Sequence, residues 1–385
     1  MGLAFLAFFA WFGWKLYSQP HTGADFIAYY TAARIVDTGR AAHLYDLALQ
    51  DQVQAQVLGI PLSHLAHPLN FINPPSVALL LAPFGQLSLN AAYTTWILAM
   101  LLLLLAACLL LPRLCGLHAR TALLASLLCV AFYPSFITVI RGQIDSLALL
   151  AVALSFAAWR SQRPALAGLA LGLALVKPQL LLALLLYLAL SRSWRALGAF
   201  AGFGLAWAAL TAMAFGPQVW WQFITFNLPG GTFSQVPYAG SAALIYSVYG
   251  LAAALALPAF AGWAMAAGCV TAFVWAVWRW RPSPAVGFAA ALALSIPISP
   301  HRGAQDLVLV LLPLLVLAQR APAQPHPWQS WTLLALAGLA LQLCLLADWP
   351  ATLAMLALAA FLLFSSRPAP APATTAPTTL ATSIA

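Results

Sequence analysis

Long apolar runs alternate along the chain with short stretches that carry proline, glycine or charged residues. A helix that crosses a bilayer needs about 20 apolar residues, and the runs indicate about twelve such crossings, within a range of about ten to thirteen. The predicted spans are 3–17, 91–112, 121–139, 144–159, 164–177, 178–190, 196–215, 258–278, 284–298, 305–319, 330–346 and 350–365. Several are short, notably the two that meet at Lys177-Pro178. The segment 76–87 is apolar but too short to cross, so we predict a re-entrant or interfacial helix there.

Composition sets the class of protein. The 385 residues are 64% hydrophobic and 6% charged, whereas about 25% of the residues in a soluble domain are charged. This excludes a soluble protein, and with it the nucleic-acid partner that a net charge of +9 would otherwise suggest. We predict an all-α polytopic membrane protein with one integral domain over 1–366 and a disordered Pro/Ala/Thr tail over 367–385.

The placement of charge predicts the orientation. Short cytoplasmic loops collect Lys and Arg, and a cytoplasmic amino terminus places ten of the 16 Lys and Arg residues on the cytoplasmic side of the predicted spans. All seven acidic residues are aspartates, and all fall on the outer side: Asp25, Asp37, Asp46, Asp51, Asp145, Asp306 and Asp348. That side also receives two long loops, 18–90 and 216–257. We therefore expect both termini in the cytoplasm and the chemistry on the extracytoplasmic face.

The first outer loop carries Asp25 directly before a segment with helical spacing that ends at Gly39. Residues 26–38 are predicted to form an amphipathic helix along the membrane surface. Two compatible interpretations of Asp25 stand at this point. Its carboxylate caps the first turn of the helix, or it is a general base held at the membrane edge beneath aromatic residues. The other aspartates of the loop are interpreted as solvated charges: Asp37, Asp46 and Asp51.

Three short polar clusters lie at the outer ends of predicted helices, and each carries a cation. They are Arg141-Gly142-Gln143-Ile144-Asp145, Lys177-Pro178-Gln179 and Pro300-His301-Arg302-Gly303-Ala304-Gln305-Asp306. A cation at the end of a spanning helix, close to the bilayer, raises the free energy of the protein unless it has a partner. Spacing of i, i+4 allows Arg141 to pair with Asp145, and Arg302 with Asp306. Lys177 has no such local carboxylate, so Lys177 and Arg302 are candidates to bind a phosphate, with snorkelling to lipid headgroups as the alternative.

Other polar and aromatic features carry less information. Asn73, before two prolines, is interpreted as a polar contact or a helix cap. The Trp and Tyr residues of the second outer loop fit either an interfacial belt or a surface that stacks on sugar rings. Histidines of the first loop lack metal-ligand spacing, and no nucleotide-binding or nucleophile-elbow motif occurs. We therefore predict no metal site and no cofactor.

In their order along the chain, these motifs resemble the glycosyltransferase 87 family. That family comprises membrane-embedded GT-C enzymes and includes polyprenyl-phosphate-mannose-dependent mannosyltransferases. The resemblance covers residues 20–320 and rests on Asp25-Phe26-x-x-Tyr29-Tyr30, Gly39, Leu44-Tyr45-Asp46, Asn73-Pro74-Pro75, Leu80-Leu81-Ala82-Pro83, Arg141-Gly142-Gln143, Lys177-Pro178-Gln179 and Ser299-Pro300-His301. Many GT-C families have paired acidic residues in the first outer loop, whereas this chain has a single Asp at the motif. A metal bridged by an acidic pair is therefore not expected.

The resemblance implies a GT-C-type helix bundle in a bacterial inner membrane, with helices in the extracytoplasmic loops. It implies transfer of a hexosyl unit, in the first instance mannosyl, from a polyprenyl-phosphate sugar to a glycan or glycolipid acceptor, with inversion. Asp25 matches the catalytic position. The expected donor-phosphate ligands are Lys177, Arg302, Arg141 and His301. The expected contacts to sugar or acceptor are Tyr29, Tyr30, Gln143, Asp145, Gln179 and Asn73.

Two other classes of function compete with glycosyl transfer. A secondary transporter or lipid flippase favours ionisable groups near the bilayer midplane and inverted repeats, whereas here the polar clusters lie at helix ends and no convincing repeat is present. A scaffold subunit without activity would leave those clusters explained only as headgroup contacts. Glycan transfer against substrate uptake in vesicles separates an enzyme from a transporter.

Overall fold

The computed structural model describes residues 25–65, 68–227, 246–299, 303–344 and 349–366, together with Ala7, Trp11 and Trp14. Within these residues the chain forms seventeen α-helices and no strand, which confirms the all-α prediction. The helices are α1 Phe26–Asp37, α2 Leu47–Leu58, α3 Pro75–Leu81, α4 Leu89–Leu114, α5 Ala119–Val130, α6 Tyr133–Ile140, α7 Asp145–Arg160, α8 Pro164–Gly172, α9 Leu182–Leu190, α10 Trp194–Phe215, α11 Gln218–Asn227, α12 Val248–Ala254, α13 Ala259–Trp280, α14 Pro284–Ser295, α15 Leu311–Arg320, α16 Pro327–Gln342 and α17 Trp349–Phe364.

Several helices meet the length and apolarity that a bilayer crossing requires. Four do so as continuous segments, and the pair α5 and α6 does so together but is bent by 50°. Pro134 lies in the first turn of α6, where its missing N–H fits a new helix start better than a continued helix. The count of twelve crossings stays a prediction, since other apolar helices are shorter. The predicted span 3–17, apart from three positions, and the predicted tail 367–385 lie outside the described residues.

Helix α14 lies within the buried core of the bundle and packs against α7, α9 and α17. Ten of the twelve residues of α14 are buried, and the rings of Phe156 and Phe288 stand 5.4 Å apart between α7 and α14. Outer helices have the opposite pattern: on α10, Leu205 is 71% and Met213 78% exposed. Large apolar side chains on the outside of an apolar bundle suit contact with lipid, because they need no burial against protein there.

A break in the helical run occurs at Lys177-Pro178. Segment 164–177 ends in a 3₁₀ turn, Leu173–Val176, and segment 178–190 begins with another, Pro178–Leu181. The residue before a proline is disfavoured in the helical region, and Lys177 accordingly has φ −140° and ψ 70°. The break places the Lys177 side chain inside the protein rather than on a helix surface.

Residues 25–65 and 68–88 contact the turn between α6 and α7 and the break at 177, and we call this side of the bundle the loop face. The predicted helix 26–38 is present as α1, with Gly39 at φ +74° after it. It does not have the amphipathic surface position that its spacing suggested, because nine of its twelve residues are buried. A Cβ on Gly85 would lie 2.5 Å from the Ala33 carbonyl oxygen, so glycine is needed for this close packing. The segment 76–87 forms α3 and the 3₁₀ turn Ala82–Gln86, short as predicted.

Candidate active site

Asp25 immediately precedes α1 and its side chain does not cap the helix. Its backbone is already helical, at φ −62° and ψ −17°, and its carboxylate accepts no hydrogen bond from the first turn. Instead Oδ2 accepts a hydrogen bond of 2.6 Å from Gln143 Nε2. Arg141 Nη1 lies 3.6 Å from the same oxygen. The capping interpretation of Asp25 is therefore wrong, and its carboxylate faces the turn between α6 and α7.

One oxygen of this carboxylate is left for a ligand. Both contacts of Asp25 fall on Oδ2, and Oδ1 has no hydrogen-bond or ion-pair partner among the described residues. The Asp25 side chain is 19% exposed and that of Arg141 46% exposed. The pair therefore presents a hydrogen-bond acceptor and a guanidinium side by side at an accessible position on the loop face.

The turn that carries Arg141 and Gln143 has a defined geometry. Gly142 has φ +68°, and a Cβ there would lie 2.7 Å from Phe26 Cβ. The backbone N–H of Phe26 donates to the Arg141 carbonyl at 3.0 Å. The Trp96 Nε1–H donates to the Gly142 carbonyl at 2.7 Å. Glycine is thus required both for the backbone conformation and for the approach of α1, and the turn is fixed directly against Asp25.

Tyr29 determines which way the Gln143 amide points. The Tyr29 hydroxyl donates to Gln143 Oε1 at 2.8 Å. Burial raises the pKa of the Tyr29 phenol well above its ordinary value, so the group remains protonated and acts as a donor. Since Oε1 accepts from Tyr29, the amide N–H₂ is directed toward Asp25. The two polar residues form a short relay that orients the carboxylate.

Lys177 has no carboxylate close to it in sequence, and the structure gives it two partners from distant segments. Its Nζ lies 2.7 Å from Asp145 Oδ2 and 2.6 Å from Asp306 Oδ1. All three side chains are buried, at 7%, 0% and 2% exposure. Asp306 also accepts the backbone N–H of Gly303 at 2.8 Å. We call these three side chains the lysine cluster, which joins the break at 177, the start of α7 and the turn Ala304–Val310.

The structure therefore corrects the expected ion pairs. Asp145 pairs with Lys177 and not with Arg141, whose partner is Asp25. Asp306 also pairs with Lys177, whereas Arg302 and His301 lie outside the described residues. The expected local i, i+4 pairing fails at Arg141 because Gly142 interrupts the helix between the two residues.

The remaining candidates are distributed around this site. Asn73 Nδ2 donates to the Val176 carbonyl at 3.4 Å, which connects the loop face to the residue before Lys177, and Asn73 does not cap α3. Gln179 lies half-buried in the turn Pro178–Leu181. Tyr30 is directed elsewhere, because its hydroxyl donates to the Leu87 carbonyl at 2.6 Å.

The other aspartates of the first loop have local partners, as their interpretation as ordinary surface charges suggests. Asp37 pairs with Arg34 at 3.0 Å, and Asp46 caps α2 by accepting from Ala48 and Leu49. Asp51 accepts a hydrogen bond from Asn70. Asp25 differs from them in its partners, because Gln143 and Arg141 both belong to the turn between α6 and α7, more than 100 positions away.

Sequence reasoning missed the residues that hold the site together. Trp96 and Tyr93, one turn apart on α4, bond to the carbonyls of Gly142 and Ile140. Aromatic side chains with a polar tip at a helix end are typical of a membrane interface, so their spacing alone favours an interfacial belt. The contacts of Lys177 with Asp306, 129 positions away, likewise have no local signal.

Comparison with families of known proteins gives a match. The family model described as "Glycosyltransferase family 87" matches residues 71–300, more than half of the chain. The matched range includes Asn73, Arg141, Gln143 and Lys177, and it begins after Asp25. No curated protein and no solved structure matches.

Proposed function

Because the chain belongs to glycosyltransferase family 87 and is a multi-pass membrane glycosyltransferase, we propose that it uses a polyprenyl-phosphate sugar as donor. The transferred unit is a hexosyl group, in the first instance mannosyl, and the acceptor is a glycan or glycolipid. Asp25 is the general base. The observation that carries this assignment is the free Oδ1 of Asp25, which stands beside an exposed guanidinium and is oriented through Oδ2.

The proposed reaction is a single displacement with inversion. The acceptor hydroxyl loses its proton to Asp25 Oδ1 as its oxygen attacks the anomeric carbon of the donor. The bond between that carbon and the phosphate oxygen breaks, and its electron pair leaves with the polyprenyl phosphate. Because the phosphate is already a good leaving group, one carboxylate suffices, whereas glycoside hydrolysis typically uses two.

Arg141 is the cation best placed to neutralise the leaving phosphate. Its guanidinium is about half exposed and adjoins the base, and a guanidinium matches phosphate oxygens in a bidentate manner. His301 and Arg302 remain proposed contributors to the same role. Lys177 is reassigned to the scaffold, because its buried ammonium already contacts two carboxylates and a phosphate would have to displace one of them.

Gln143 and Tyr29 position the base. The 2.6 Å hydrogen bond from Gln143 holds the Asp25 carboxylate in one orientation, and Tyr29 holds the Gln143 amide in turn. The ordered relay means that Oδ1 need not reorient when the acceptor arrives, which reduces the cost of reaching the transition state.

The loop face is proposed to be extracytoplasmic, in a bacterial inner membrane with both termini in the cytoplasm. The support is the distribution of charge. Aspartates lie on this side of the predicted spans and most arginines on the other, in keeping with the tendency of cytoplasmic loops to be positive. A donor in the membrane and an acceptor in the outer aqueous phase would then meet at Asp25.

The test compares two variants that remove one charge each from the same loop. Asp25→Asn in purified protein, given labelled polyprenyl-phosphate mannose and an acceptor glycolipid, is expected to lower turnover by about 10²-fold or more, since general-base catalysis contributes about 10²–10⁴-fold. Asp46→Asn is the matched control, because Asn caps a helix about as well as Asp. It should retain turnover within about twofold, a difference of under roughly 0.5 kcal/mol.

Retained turnover in Asp25→Asn refutes the catalytic assignment. Equal losses in both variants would show that the assay reports the fold of the loop and not the base. The same preparation offered a nucleotide-activated hexose tests the donor class, and transfer from that donor at a similar rate would contradict the lipid-phosphate donor.

A further inference from the structure

A second polar site lies on the loop face, away from Asp25. A cavity of about 330 Å³ opens between α1, α2 and the start of α4. Its wall includes Tyr30, Arg34, Thr38, Arg40, Val57 and Leu89. Both polar and apolar side chains line the cavity, so it suits a ligand with both characters.

The two arginines give the cavity a positive charge. Arg34 uses Nη1 to donate to the Gly85 carbonyl at 2.6 Å and to Asp37 at 3.0 Å. Arg40 uses Nε to donate to Thr38 Oγ1 at 3.1 Å, and it has no carboxylate within ion-pair distance in the described part of the chain. Only Arg34 of these two arginines therefore has a carboxylate partner in the described part of the chain, and the remaining N–H groups of both guanidinium groups match the oxygens of a phosphate.

The position of the cavity indicates where the ligand comes from. Leu89 is the first residue of α4, a 26-residue apolar helix long enough to cross a membrane. Leu87, also in the cavity wall, is 39% exposed. The arginines therefore lie where a spanning helix leaves the bilayer, which is the depth of lipid headgroups.

The donor cannot fill this cavity and react at Asp25 at the same time. Asp25 and Arg34 are nine residues apart along α1, which at 1.5 Å per residue is a separation of about 13 Å. In a polyprenyl-phosphate sugar the anomeric carbon is bonded directly to a phosphate oxygen. A phosphate held by Arg34 and Arg40 would leave that carbon far from the base. This step rests on the proposed function, in which Asp25 is the base.

We propose that this cavity binds the phosphate headgroup of an anionic membrane lipid, at a site separate from the donor. Arg40 supplies a guanidinium that has no carboxylate partner in the described part of the chain, Arg34 supplies the second cation, and Leu87 and Leu89 contact the upper part of the acyl chains. The bound lipid would hold α1 and α2 against the spanning helix.

The experiment measures binding and not turnover. Purified protein in detergent is titrated with a fluorescent phosphatidylglycerol, and Arg40→Gln is expected to weaken the affinity about tenfold, because it removes a charge-assisted contact. Arg120→Gln is the matched control, since it removes the same charge from an exposed position on α5 that does not line the cavity. It should change the affinity by less than about twofold, or roughly 0.4 kcal/mol.

Several outcomes overturn the proposal. Equal weakening in both variants would show only general attraction of lipid to a positively charged protein. Competition by glycerol 3-phosphate or inorganic phosphate as effective as that of unlabelled phosphatidylglycerol would show a site for free phosphate rather than a lipid. If Arg40→Gln does not fold, Arg40→Lys keeps the charge but loses the planar fork, and unchanged affinity in that variant counts against the site.

A parallel titration of Asp25→Asn separates this proposal from the proposed function. Lipid binding should persist in that variant whatever happens to its turnover. Retained turnover in Asp25→Asn would refute the base while leaving the lipid site in place, whereas loss of the difference between Arg40→Gln and Arg120→Gln would refute the lipid site alone.

Discussion

Replacing Lys177 by Met tests the reassignment of this residue from ligand binding to the scaffold. The substitution keeps most of the side-chain volume and removes the ammonium of the lysine cluster. Asp145 and Asp306 would then lie within the protein, at 0% and 2% exposure, without the cation that both now contact. Two buried carboxylates without a counter-charge are far more costly than the intact cluster.

The size of the effect follows from the burial of the cluster. Breaking a buried ion pair by removing one partner costs about 3–5 kcal/mol, which is a large part of the about 5–15 kcal/mol that stabilises a typical protein. The converse change, Asp145→Asn, leaves one ammonium beside one carboxylate, so the formal charge of the cluster becomes zero. Its cost should be about 1 kcal/mol, that of a weakened hydrogen bond.

The assay is thermal unfolding of the purified proteins in one detergent, together with donor kinetics. At an unfolding entropy of about 2 cal/mol/K per residue, Lys177→Met should lower the midpoint by about 5 °C and Asp145→Asn by less than about 2 °C. A phosphate ligand would behave differently. If Lys177→Met keeps its midpoint and raises the KM for the donor about tenfold, a change of roughly 1.4 kcal/mol, the scaffold assignment is refuted and the original expectation for Lys177 is restored.

Two further predictions concern the first loop. Tyr29→Phe leaves Gln143 Oε1 without its donor and should lower kcat about tenfold with little change in KM. Tyr30→Phe is the control, because it removes a hydroxyl that bonds to the Leu87 carbonyl, and it should keep kcat within about twofold, or roughly 0.4 kcal/mol. Equal losses of kcat in the two variants would contradict the relay. Burial raises the pKa of Asp51, although the hydrogen bond from Asn70 lowers it. The folded state therefore binds the proton more tightly than the unfolded state, and this contribution to stability is lost as the pH rises through the folded pKa. As the pH rises from 4 to 7, the unfolding midpoint of Asp51→Asn should increase relative to that of the unmodified protein. A relative decrease over that range would show that folding lowers the pKa of Asp51.

Helix positions were largely predictable from the sequence, because apolarity and helix-breaking residues act locally. The predicted span 91–112 is observed as Leu89–Leu114 and the span 196–215 as Trp194–Phe215. The proline at 178 predicted the boundary at 177, which the structure has. The span 121–139 was predicted as one helix, and it is bent because Pro134 restarts it.

The contacts of the site were less predictable, because they join residues distant in sequence. The position of Asp25 before a helix is compatible both with a helix cap and with a general base, and the sequence position does not distinguish these two roles. The choice depends on Gln143, 118 positions away. The spacing of Arg141 and Asp145 suggested a pair, yet Gly142 turns the chain so that Asp145 faces the interior. Local rules therefore identified the chemical groups but not their partners.

The lysine cluster also bears on how the chain assembles during synthesis. A membrane protein is made from its amino terminus, so Asp145 is available to Lys177 long before Asp306. The two aspartates lie 32 positions before and 129 positions after the lysine. A nascent chain that has reached α9 contains Lys177 and Asp145, whose charges cancel, but not yet Asp306. The contact between Asp306 and Lys177 can form only after residue 306 has been made, so it is a late link between the carboxyl-terminal part of the chain and the earlier helices.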